Sequence, residues 1–151
     1  MIPILFAFLH HITAFLVFGA LLAELMLIKN EVTPALARSL LRADAIYGVS
    51  ALALIVVGLV RVSATEKGLD YYLHSGTFIV KMLLFVLAGL ISIYPTRRYL
   101  AWRRELKANR VPVLGASVRA NISRAVHLQL GLLSLVILCA VLMARGIGYF
   151  G

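Results

Sequence analysis

The chain has 151 residues, of which 62% are hydrophobic and 14% charged, and its mean hydropathy is +0.99. A soluble globular domain carries more charge than this and a disordered chain far less apolar surface, so composition excludes both. The net charge of +9 is not the footprint of a nucleic-acid binder, because the cations are concentrated between long apolar runs.

Apolar runs near residues 3–28, 43–63, 75–95 and 124–148 are each long enough to cross a hydrocarbon core about 30 Å thick. The first begins without a basic residue, is too long for a signal-peptide core and keeps His10, His11 and Glu24, so it is expected to be a retained helix. Thr33-Pro34 is an N-cap followed by proline at the first helical position, and predicts that the second helix starts before its apolar run. Tyr71 and Tyr72 in the next connection, with Tyr149 and Phe150, suit one membrane interface; Tyr94, Tyr99 and Trp102 suit the other. Pro95 should kink or end the third helix, although RRYLAWRRELKANR favours its continuation. Gly115-Ala116-Ser117 offers the start of the fourth, where the lone Cys139 sits mid-span as a small apolar residue.

Short connections between four spans predict one all-α domain over 1–151, a transmembrane up-down-up-down bundle. Eleven Lys and Arg residues lie in the first and third connections, against Arg61, Lys67 and Arg145 on the other side. The positive-inside rule then places both termini outside the cytoplasm, with the basic loops facing it and contacting anionic lipid.

Intramembrane polar residues are the candidates for function, since each must find a partner in hydrocarbon. A rise of about 1.5 Å per residue sets His10, His11 and Lys81 at one depth, roughly 9–12 Å below the end that carries the termini. The first and third helices run in the same direction and commonly face each other across such a bundle. His10 shares a stripe with Thr13, Val17, Ala20 and Glu24, which makes it the inward histidine and His11 its neighbour. His10 and Lys81 suit the axial pair of a haem iron, with Arg61 and Arg145 near the propionates. The alternative is that Lys81 snorkels to the headgroups and His10 finds a hydroxyl or carbonyl. Glu24, Arg42, Asp44, Arg124 and His127 are expected near the opposite face, as an ion-pair and hydrogen-bond tie between helix ends or as a proton-entry or head-group site.

The segments LHHITAFLVFGALLAEL, FIVKMLLFVLAGLISIYPT and RADAIYG resemble a family of small bacterial membrane proteins catalogued as domain of unknown function family 2214. Leu9-His10 and Lys81-Met82-Leu83-Leu84 more distantly resemble the HemJ-type protoporphyrinogen IX oxidases, although the tryptophan and Pro-Arg pair of that family's first helix are absent. The resemblance implies a multi-pass protein of the bacterial inner membrane that binds haem b, with a porphyrin substrate, quinone as electron acceptor and a possible homodimer. The competing expectation is a non-catalytic membrane subunit or a small ion or proton transporter component.

Overall fold

The computed structural model describes residues 1–65, 69–108 and 110–150, so Lys67 lies outside the described residues. Helix α1 covers Ile2–Leu27 with Pro3 in its first turn, where a missing N–H costs nothing. Helix α2, Pro34–Val60, begins where expected: the Thr33 hydroxyl accepts from Leu36 N at 3.1 Å. A π-helical turn, Arg61–Thr65, and a short α3, Leu69–Leu73, lead to α4, Gly76–Lys107, and then to α5, Ala116–Ala144. Four of these helices are long and apolar enough to cross a membrane.

Pro95 does not end α4, which continues for twelve residues beyond it. Loss of one i to i−4 bond at Pro95 is offset by the strong helix formers that follow and by what they bury. Pro95, Tyr99 and Trp102 are all buried, and the Tyr99 and Trp102 rings lie 5.4 Å apart. Thr96, the next residue, hydrogen-bonds across to α2 through Asp44.

The helices form an antiparallel square. Helix α1 packs on α2 and α5, and α4 packs on α5 and α2; among the described residues α1 and α4 meet only across the diagonal, without direct packing. Two hairpins, α1–α2 and α4–α5, are thus each tightly paired and more loosely joined to one another. The start of α1, the end of α5 and the described residues 61–65 and 69–75 lie at one end, here the terminal end; residues 28–33, 108 and 110–115 lie at the other, the basic end.

Burial differs sharply between these ends. Toward the basic end, Leu21, Ile28, Leu40, Tyr99, Ile122 and Val126 are almost wholly buried and form the core. Arg119 of α5 closes it, donating from Nη1 to Lys29 O and Asn30 O at 2.9 Å each, and so caps carbonyls just past the end of α1. Toward the terminal end, no residue of α1 before Val17, of α2 after Ser50 or of α4 before Ala88 is buried, and after Leu133 α5 buries only Cys139. The hairpins therefore enclose a packed core over half their length and bury few side chains over the rest.

The C-terminal tail fastens the terminal end. Gly146 and Gly148 adopt left-handed φ values of 73° and 86°, which turn the chain back onto the start of α4. Gly76 N donates to Gly148 O at 2.8 Å, Phe150 N to His74 O at 3.1 Å and Thr77 Oγ1 to Ile147 O at 3.0 Å. The interfacial aromatics meet here, with Tyr71 stacked on Tyr149 at 4.7 Å. A Cβ at Gly148 would lie 2.8 Å from Thr77 Cγ2. Replacing Gly148 with Ala is therefore expected to cost about 1–2 kcal/mol and to release the tail. Hydrogen exchange should speed up at the Gly76 and Phe150 amides and stay unchanged in the core of α5.

Candidate functional site

The sparsely buried half at the terminal end carries the first group of polar side chains. His10 is half-buried and His11 exposed, consistent with the roughly 100° between successive helix positions. The two imidazoles behave differently. His11 Nδ1 pairs with Ala7 O at 2.6 Å, His127 Nδ1 with Ser123 O at 2.7 Å and His74 Nδ1 with Asp70 O at 2.9 Å. Each of these rings is anchored on the carbonyl one turn back. His10 Nδ1 is buried and has no hydrogen-bond partner.

Gly58 of α2 makes room for that ring. A Cβ there would meet His10 Cε1 at 3.3 Å and Nδ1 at 3.6 Å, so the imidazole lies directly against the α2 backbone. Arg61 and Lys81 are within electrostatic reach of His10, and Arg61 and Cys139 within reach of Lys81. Lys81 leans toward the start of α4, as helix side chains do, with Nζ 5.5 Å from the centroid of Phe78. Arg145 is exposed just beyond the end of α5, at the same end of the bundle. The fold thus brings His10, Arg61, Lys81 and Cys139 within electrostatic reach of one another at the terminal end, and leaves His11 and Arg145 exposed.

A second group lies in the closed half, and its membership differs from the sequence expectation. Glu24 and Asp44 are buried, at 1% and 8% exposure, and lie within electrostatic reach of each other. Arg42, Arg124 and His127 are exposed and do not join them. Helical phase explains this: Arg42 stands about 200° from Asp44, and His127 about 200° from the buried Gln129, so each pair points to opposite faces. Arg42 lines an apolar groove of about 430 Å³ between α1 and α2, with Phe15, Gly19 and Ala43. Among the described residues no cation pairs with either carboxyl group, so of the expected ion-pair and hydrogen-bond tie only the hydrogen-bonded part is present.

Hydroxyl groups supply that part. Thr96 Oγ1 donates to Asp44 Oδ1 at 2.6 Å and links α4 to α2. The Tyr99 hydroxyl lies beside the Glu24 carboxyl, yet Glu24 Oε1 and Tyr99 Oη both lack a partner of hydrogen-bond geometry among the described residues. Tyr47 is buried next to Ser92. Gln129 is fully buried; its Nε2 donates to Ala125 O at 3.3 Å while Oε1 is unpaired. The sequence reading assigned Tyr99 to an interface belt and gave no role to Thr96 or Gln129. The available signal was the spacing of Ser92, Thr96, Tyr99 and Trp102, which forms one face of α4, and of Asp44 and Tyr47 on α2.

A family model described as "Predicted membrane protein (DUF2214)" matches residues 2–148. No curated protein matches the chain, and no solved structure does.

Replacing Gly58 with Val places a branched side chain where a bare Cβ already crowds His10. The expected result is a shift of the His10 ring signals in ¹⁵N side-chain spectra, with those of His11, His74 and His127 unmoved, and a stability loss of about 1–3 kcal/mol from overpacking. Unmoved His10 signals would show that the ring does not rest on Gly58.

Proposed function

The chain belongs to this family of predicted membrane proteins, and we propose that it is a haem-b-binding redox protein of the bacterial plasma membrane, with its basic loops in the cytoplasm. This reading takes the sparsely buried terminal half as an apolar crevice between the hairpins, and the observation that carries it is that the one imidazole turned into the bundle without a partner lies there. A flat, largely apolar macrocycle suits a space that side chains leave unfilled, and a buried imidazole nitrogen suits a metal. The resemblance of the Leu9-His10 and Lys81-Met82-Leu83-Leu84 segments to HemJ-type proteins adds support.

His10 from α1 and Lys81 from α4 would supply the nitrogen donors from opposite corners of the square. Lys81 can serve only as a neutral amine, and a largely apolar setting favours that form of the side chain in general. Arg61 and Arg145 stand at the same end as counter-charges for carboxylate substituents. Gly58 keeps the α2 side of the crevice low enough for the His10 ring, and Leu54, Leu84 and Phe85 are among its partly buried apolar neighbours. When bound, haem b supplies one-electron transfer at a potential set by these ligands and charges. Quinone is the natural electron acceptor, because it reaches such a crevice from the bilayer, and a porphyrinogen is the substrate suggested by the HemJ likeness. A second protomer laid over the open side would exclude water further, so a homodimer belongs to this reading.

The other reading, an ion- or proton-handling membrane component, draws on a different observation, the buried carboxyl groups without a paired cation.

Absorption spectra of the detergent-purified protein, oxidised and after dithionite, test the haem reading. A b-type spectrum near one haem per chain or per dimer is expected. His10→Ala should abolish it, His11→Ala should retain it and Lys81→Met should alter the coordination of the iron. A featureless spectrum after expression with ample haem would sink the proposal.

A further inference from the structure

The polar group in the closed half has no part in the redox reading, and its chemistry is distinct. Every functional atom in it is oxygen: the carboxyl groups of Glu24 on α1 and Asp44 on α2, and the hydroxyls of Thr96 and Tyr99 on α4. Two of these atoms, Glu24 Oε1 and Tyr99 Oη, are buried with no partner, on side chains that are 1% and 0% exposed. Thr96 Oγ1 gives its proton to Asp44 and keeps lone pairs to offer. The titratable groups facing this point are Glu24 from α1, Asp44 and Tyr47 from α2, and Tyr99 from α4; the buried polar residue of α5 is the neutral Gln129. Among the described residues no lysine, arginine or histidine pairs with either carboxyl group.

Buried charged groups in a membrane pair with something, and buried polar atoms are rarely left without a partner. We propose that Glu24, Asp44, Thr96 and Tyr99 form a binding site for one small hard monovalent cation of the sodium class, clamped between the two hairpins. Such an ion satisfies Glu24 Oε1 and Tyr99 Oη together and provides the counter-charge that no side chain gives. The donor set argues against other metals. Nitrogen and sulfur ligands preferred by zinc or copper are absent, and among the described residues no group of three or more His, Cys, Asp or Glu could hold a metal. Calcium takes six to eight oxygens and magnesium retains several waters in a strict octahedron, demands poorly met by four enclosed side chains. Because α1 and α2 belong to one hairpin and α4 to the other, the ion acts as a clamp across the seam between the hairpins, which pack less closely on each other than the helices within each hairpin do.

Thermal unfolding of the full-length protein in detergent, in NaCl, KCl, MgCl₂ or choline chloride at constant ionic strength, tests the site. Saturable stabilisation by NaCl relative to choline is expected, roughly 5–10 °C at a hundredfold excess over the dissociation constant. Tyr99→Phe and Thr96→Val should each weaken that response at least tenfold in sodium concentration, and Glu24→Gln should remove it. Should Glu24→Gln fail to fold, the first two variants carry the comparison. His10→Ala should leave the sodium response intact, which separates this site from the haem reading. Equal melting in NaCl and choline overturns the proposal. Stabilisation by MgCl₂ alone overturns the monovalent assignment, and a sodium response unchanged in Tyr99→Phe and Thr96→Val overturns the location.

Discussion

Hydrocarbon offers no hydrogen bonds, and a polar group left unpaired in it costs several kcal/mol. The backbone meets this constraint with four long helices, one of them carried through a proline. Polar side chains meet it locally: Thr13 bonds Leu9 O, Ser63 bonds Leu59 O, Ser134 bonds Leu130 O, and His11 and His127 each use the carbonyl four residues back. Against that pattern, the groups that do not find a carbonyl stand out. His10 Nδ1, Glu24 Oε1, Tyr99 Oη and Gln129 Oε1 are buried and unpaired.

These groups sort by the two halves of the bundle. Near the basic end, the core of Leu21, Leu40, Tyr99 and Ile122 brings the hairpins together, and Arg119 ties the first connection to α5. Near the terminal end the hairpins are joined by the tail and the connection around Tyr72 and Ser75, while the helices between enclose little.

Separation along α1 keeps the two sites apart. His10 and Glu24 are fourteen positions distant, about 21 Å at the rise of an α-helix, and the stripe between them runs through Val17 and Ala20, which are buried and apolar. Along this face no chain of polar side chains joins the two levels, among the described residues.

Four spans, the Thr33 cap and the inward phase of His10 and Glu24 were legible in the sequence, because apolar run length, capping chemistry and a 3.6-residue period are local properties of the chain. Membership of the buried cluster was not. Arg42, Asp44 and His127 share a depth, and depth alone groups them, but a two-residue offset turns Arg42 away from Asp44 and His127 away from Gln129. Which hydroxyl reaches which carboxyl depended on how α4 continues past Pro95 and packs on α2, a contact across 52 positions of chain that pairs Thr96 with Asp44. The unequal closure of the two ends likewise belongs to the tertiary structure, since the apolar runs are as hydrophobic in the open half as in the packed one.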